Sequence, residues 1–218
     1  MNQKALIFYG GWEGHDPEAC AAVVAGMLRD EGFDVRSEPG VAVLGEADLS
    51  SFDLIVPLCT QVEIKKEPLE RLCAAIAAGT GLAGFHGGMG DTFRAAPAYQ
   101  FMVGGQWVAH PGDMMDYRVE ITQPDHPLMQ GIGDFDYHSE QYFMHVDPGN
   151  DVLAVTRFDG THAPWVKGTV MPVAWTRHHG EGRVFYSALG HNASEFDVPQ
   201  MKEILRRGLV WASRGTGR

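Results

Sequence analysis

The chain has 218 residues, 44% of them hydrophobic, and a formal net charge of -11. That length suits one α/β domain with a sizeable core, and a scattered acidic charge repels phosphate backbones, so nucleic acid is excluded as an expected partner. No apolar run approaches the roughly 18 residues needed to cross a bilayer and no basic stretch leads into an apolar one at the start, so a cytoplasmic protein with no membrane partner is expected.

In chain order, Lys4 to Tyr9 is a short apolar run ending at Gly10-Gly11. Asp16-Pro17 then reads as an N-cap with proline at the first helical position. Cys20, Val23, Val24, Met27 and Leu28 recur at helical spacing up to Gly32. Asp53 to Leu58 is a continuous apolar run of the kind expected for a strand covered on both faces. Leu69, Leu72, Cys73 and Ile76 mark a second amphipathic helix that ends at Gly79, and Gly81 to His86 is the next strand. Alternating units of this length predict right-handed crossovers and a doubly wound, mainly parallel sheet with helices on both faces.

The second half is less regular. Strands are expected at Tyr117 to Thr122 and Val152 to Thr156, and an antiparallel hairpin from Met171–Arg177 and Arg183–Ala188 around Gly180-Glu181-Gly182. Asp197-Val-Pro-Gln200 resembles a capping box that opens a last helix, with Met201, Ile204, Leu205 and Leu209 facing inward. Nothing resembles a repeat or linker, so residues 1–218 read as one domain. Cys20, Cys59 and Cys73 lack CxxC spacing, which argues against a disulfide framework.

In parallel sheets, ligands bind beyond the carboxyl ends of the strands. There the sequence places His15 after the first strand, His86 between Gly84 and Gly87-Gly88, and His191-Asn192 after the last strand, with Glu195 close by. The glycines around His86 permit a sharp turn that holds its side chain over the sheet, although a lone strand-end histidine is also compatible with a purely structural role. Asp136 to His145 concentrates His138, Glu140, Tyr142 and His145 without a helical pattern and reads as a functional loop, or else as an edge strand that leaves them in solvent. Glu140 is the candidate base. His138 and His145 are candidate metal ligands. Trp107 and His110, in the run from Gly104 to Pro111, supply an aromatic face and an imidazole for a sugar ring. The expected catalytic set is therefore His86, Glu140 and His191, with His15, Trp107, His110, Tyr142 and Asn192 binding substrate.

These stretches together resemble the ThuA-like (trehalose utilisation) family of the class I glutamine amidotransferase-like superfamily. The match is carried by Gly11–Asp16, Gly84–Gly88, Gly104–Pro111, the DHP-L-M-x-G-I turn at Asp125–Ile132, His138–Tyr142, and MPVAW with GEGRVFYSALGH between Met171 and His191. The resemblance implies a flavodoxin-like fold, a small-molecule sugar as partner, and a role in disaccharide or keto-sugar metabolism. It also exposes a departure: the superfamily's amidotransferases carry a cysteine at the elbow where this chain has His86, so thiolate attack on an amide is not expected. The resemblance makes His191 the counterpart of their triad histidine. Three readings stay open: a sugar-processing enzyme using a His/Glu acid–base pocket, a metal-dependent hydrolase or isomerase with an ion such as zinc, and a non-catalytic sugar-binding subunit. Phe135, Tyr137 and Phe143 are candidates for a homodimer contact.

Overall fold

The computed structural model describes residues 2–215. Strand β1 (Lys4–Gly11) leads into helix α1 (Pro17–Asp30) and strand β2 (Asp34–Pro39). Helix α2 (Val43–Glu46), strand β3 (Leu54–Thr60), helix α3 (Lys66–Ala77) and strand β4 (Gly81–Phe85) follow, and then the short helix α4 (His86–Gly90) and α5 (Pro97–Val103). Strands β5 (Gly105–Ala109), β6 (Met114–Ile121), β7 (Phe135–Glu140), β8 (Phe143–Val146), β9 (Asp151–Arg157), β10 (Val170–His179) and β11 (Gly182–Ser187) precede helix α6 (Pro199–Ala212).

A nine-stranded sheet runs in the order β2-β1-β3-β4-β11-β10-β9-β6-β7. The first five strands are mutually parallel, which gives the flavodoxin-like half, and β10, β9, β6 and β7 extend it antiparallel. All seven residues of β3 and all five of β4 are buried, as strands covered on both faces require. From β1 the chain crosses to β2 on one side, whereas from β3 it crosses to β4 on the other. Right-handed crossovers therefore put α1 and α3 on opposite faces and open a crevice between the carboxyl ends of β1 and β3. Gly11 pairs with Thr60 and Ser187 with Phe85, so the four strand ends lie level along one edge. One continuous core, from Ala5 in β1 to Ala212 in α6, unites both halves of the sheet.

Most predicted elements match; the exceptions have local causes. Strand β2 (DVRSEP) is a largely exposed edge, so no apolar run announces it. Asp136–His145 is not a loop: it forms β7 and β8 around Gln141-Tyr142, and β7 alternates between the core and solvent. Phe135 and Tyr137 are consequently buried in the core, whereas Phe143 packs on Phe158 and stays half-buried. The capping box at Asp197 is absent. Helix α6 begins at Pro199 without a side-chain cap, and Asn192 caps the preceding 3-10 turn (Ala193–Asp197) by accepting from the Ser194 amide at 3.0 Å. Asp16 stands at the N-cap of α1 but in the left-handed region (φ 45°), and its side chain caps nothing. The three cysteines are unpaired.

Helix α6 packs against β11 through Gly208, where an added Cβ would stand 2.2 Å from the Phe185 ring, whereas a Cβ on Gly26 in α1 meets nothing within 4 Å. Urea denaturation should show Gly208→Ala to be destabilising by about 1–3 kcal/mol through overpacking. The same measurement should show Gly26→Ala to be stabilising by about 0.5–1 kcal/mol, because alanine restricts the unfolded chain.

Candidate active site

The site is assembled at the crevice from four segments. The first is the turn after β1: a short 3-10 helix (Glu13–His15) delivers His15, which is only 8% exposed, and its Nδ1 lies 2.7 Å from Thr60 Oγ1 at the end of β3. The second is the turn from β4 into α4. His86 holds a positive φ of 46°, a conformation unfavourable for any residue with a Cβ, and it is fully packed. Its neighbours must be glycine for reasons of space: a Cβ on Gly87 would lie 2.4 Å from His15 Cε1, and one on Gly88 would lie 3.0 Å from Leu58 Cα. This is the sharp turn anticipated from the glycines, with the positive φ on the histidine itself.

Tyr142 stacks on the His86 ring at 4.0 Å between centroids. His86 Nδ1 donates to the Ala188 carbonyl at 2.8 Å, and the Tyr186 hydroxyl donates to the His86 carbonyl at 3.1 Å. Burial lowers the His86 pKa to about 4, against the opposing pull of Glu140, so the ring is neutral near pH 7.

Glu140, the last residue of β7, supplies the third segment. Its Oε2 lies 3.1 Å from His86 Nε2, 3.4 Å from His191 Nδ1 and 3.9 Å from His15 Nε2. Burial alone would raise this carboxyl, but the imidazoles of His15, His191 and His86 outweigh it and hold the group below the usual carboxylate range. The fourth segment, after β11, carries His191. Burial opposes its charging, yet Glu140, Glu195 and Asp16 raise its pKa above the ordinary histidine value. Glu195, itself buried, accepts the His191 backbone N–H at 2.9 Å and a short hydrogen bond from the Tyr137 hydroxyl, which in turn accepts from Gly190 N at 3.1 Å. Burial and Glu195 push the Tyr137 hydroxyl far above its ordinary pKa, so it stays a donor.

One ligand atom from each of His15, His86, Glu140 and His191 falls within 4.8 Å of the others, a group close enough to hold a metal ion. His15 and Glu140 also line a cavity of about 350 Å³, together with Trp12, Thr60, Gln61, Asp91, Trp107, His110, Asp113 and Tyr142. His110 Nε2 lies 3.8 Å from the other carboxylate oxygen of Glu140, and its Nδ1 lies 3.2 Å from Asp113 without hydrogen-bond geometry. Arg94 sits over the Trp107 ring at 4.6 Å and bridges to Asp91. Three buried polar atoms of this wall have no protein partner: His15 Nε2, Trp107 Nε1 and His110 Nδ1. Buried polar atoms gathered beside one cavity are suited to hydrogen-bonding a polar ligand.

Of the expected residues, His15, His86, Trp107, His110, Glu140, Tyr142 and His191 thus come together, His15 as a member of the buried quartet rather than only of the cavity wall. Three do not join them. His138 lies on the outer face of β7 beside Asp116 at 2.7 Å, and His145 is exposed on β8, so neither belongs to the metal-competent group. Asn192 is occupied in capping its turn. Sequence reasoning missed Asp91 and Asp113, which reach the cavity from turns that show no pattern.

The model of a family described as ThuA, trehalose utilisation, matches residues 4–212. Among solved structures, a ThuA-like protein from Parabacteroides merdae superimposes with a TM-score of 0.79 at 20% identity, over 97% of this chain and 90% of that one. Another from Bacteroides uniformis gives 0.77 at 19% identity, over 96% and 91%. A protein of Salmonella typhimurium described as cytoplasmic gives 0.67 at 14%, over 97% and 100%. These likenesses establish the fold. No curated protein matches the chain.

Tyr137→Phe removes both the donor to Glu195 and the acceptor for Gly190. We expect a loss of about 1–3 kcal/mol in urea denaturation, with faster amide exchange at Gly190 and His191; unchanged exchange there would mean that this network does not hold the His191 loop.

Proposed function

Because the chain belongs to the ThuA family of trehalose utilisation, we propose that it is an enzyme of disaccharide or keto-sugar metabolism, with its reaction centre at Glu140, His86 and His191. The observation that carries this reading is that Glu140 and His15 line a cavity with Trp12 and Trp107 on its walls, while His86 and His191 adjoin Glu140 behind them. Indole faces suit the apolar faces of a pyranose, and the unpartnered Trp107 Nε1 and the carboxylates of Asp91 and Asp113 suit its hydroxyls. The membership itself implies a role in sugar use; the reaction and substrate are our reading.

The chemistry such a floor supports is proton transfer beside a carbonyl. In a 3-keto-glycoside, a base removes the proton at C2, the electron pair shifts toward the C3 carbonyl oxygen, and collapse of the enolate expels the glycosidic oxygen, which takes up a proton. Two groups of opposed protonation state are needed. Glu140 is held ionised, His86 is held neutral, and His191 is biased toward its charged form. His110, at the cavity wall and in reach of Glu140, is placed to carry protons between the floor and the substrate. A cysteine mechanism does not fit: Cys59 is buried in β3, and burial pushes its thiol up to about 12.

A cytoplasmic location is part of the same proposal. It is supported by unpaired cysteines and by the absence, among the described residues, of any helix long and apolar enough to cross a membrane.

Incubating the protein with trehalose and a panel of 3-keto-disaccharides, with products read by mass spectrometry, tests the reading. Glu140→Gln should lower kcat/KM by about 100-fold or more, and Trp107→Ala should act mainly by raising KM by up to about tenfold. Saturable sugar binding without any product would instead support a non-catalytic binding subunit.

A further inference from the structure

We propose that His15, His86, Glu140 and His191 bind one divalent transition-metal ion of the zinc type, a site that stands whether or not the substrate is a sugar. The Ala188 carbonyl can only accept, so His86 Nδ1 carries a proton and Nε2 is the ring atom turned toward Glu140 Oε2, 3.1 Å away. Either a proton on Nε2 or a cation between the two atoms satisfies that contact. His15 Nδ1 is engaged by the Thr60 hydroxyl, while its Nε2 is buried without a hydrogen-bond partner, 3.9 Å from the same carboxylate oxygen. His191 Nδ1 stands 3.4 Å from both His86 Nε2 and Glu140 Oε2. One shared proton relieves one of these contacts; one cation relieves all of them.

The donor set and its spacing point to the class of ion. Three imidazole nitrogens and one carboxylate oxygen suit zinc and its first-row neighbours, whereas calcium and magnesium take oxygen ligands. Four ligands placed tetrahedrally at about 2.1 Å from an ion stand roughly 3.4 Å apart; four of the six separations here, 3.1, 3.4, 3.4 and 3.9 Å, bracket that value, and all six are within 4.8 Å. The outer supports are those of a metal centre: a carbonyl fixes the tautomer of His86, a hydroxyl fixes the ring of His15, and the Glu195 carboxylate holds the His191 backbone. Cys20, although near, is no ligand; its Sγ donates to the His15 carbonyl. Since His15 and Glu140 line the cavity, the ion is reached from the side where substrate enters and can act as a Lewis acid there.

The test uses the full chain without a polyhistidine tag, stripped with a chelator and dialysed. Zinc is titrated calorimetrically and cobalt by its visible absorption. Wild type should take up about one equivalent; His15→Ala and Glu140→Gln should each weaken binding by about 100-fold or more, and Thr60→Ala by about tenfold. His138→Ala and His145→Ala should bind as wild type does. Circular dichroism establishes that each variant is folded, and should Glu140→Gln unfold, His15→Ala and Thr60→Ala still decide. Uptake below about a tenth of an equivalent by wild type, or unchanged binding in His15→Ala and Glu140→Gln, overturns the proposal. Metal bound with no sugar turned over contradicts the sugar reading alone, and sugar turned over by a protein that takes up no metal contradicts the metal centre alone.

Discussion

A carboxylate buried among three imidazoles is the constraint around which this molecule is arranged. Removing a charged carboxylate from water is expensive unless positive charge or donors replace the lost hydration. Here the replacement comes from rings in three separate turns, all directed at one oxygen of Glu140. Such convergence is paid for by backbone strain at His86, by glycines where a Cβ would collide, and by a second buried acid, Glu195, whose donors are Tyr137 and the His191 amide. These features are hard to explain as devices for stability, because replacing buried ionic groups with apolar ones is often neutral or favourable. They are readily explained as a site.

The fold supplies the convergence in two steps. The parallel half of the sheet brings the ends of β1, β3, β4 and β11 level, so the turns bearing His15, Thr60, His86 and His191 open on the same crevice. The antiparallel half then returns across that edge, and β7 with the turn after it delivers Glu140 and Tyr142 onto the imidazoles. A flavodoxin-like sheet alone would hold the three histidines without Glu140. The extension beyond β11 is therefore part of the architecture of the site.

Much of this was legible in the sequence because the relevant signals are local. Apolar runs marked β1, β3 and β4, helical spacing marked α1 and α3, and glycines flanking His86 announced the turn. Glu140 stood out through the composition of its segment. What stayed hidden depends on pairing. The edge position of β2 removes the apolar signature of a strand, and in β7 the alternation of buried and exposed residues breaks at Ser139-Glu140, so Glu140 is buried although His138, two residues earlier, is exposed, and a cluster in sequence is not a cluster in space. Asn192 looked like a substrate ligand because it adjoins His191; its side chain satisfies the next turn instead. Asp91 and Asp113 reach the cavity through turns with no periodicity, and no rule of spacing could have selected them. The metal-competent group needed coordinates for the same reason, since its members lie in four segments.

The most direct measurement is a crystal structure of the zinc-soaked protein, with anomalous data collected on either side of the zinc absorption edge. The account predicts a single strong peak about 2.0–2.2 Å from His15 Nε2, His86 Nε2, His191 Nδ1 and a Glu140 oxygen. A peak beside His138 and Asp116 with none in the quartet, or imidazoles that point away from Glu140, would contradict it.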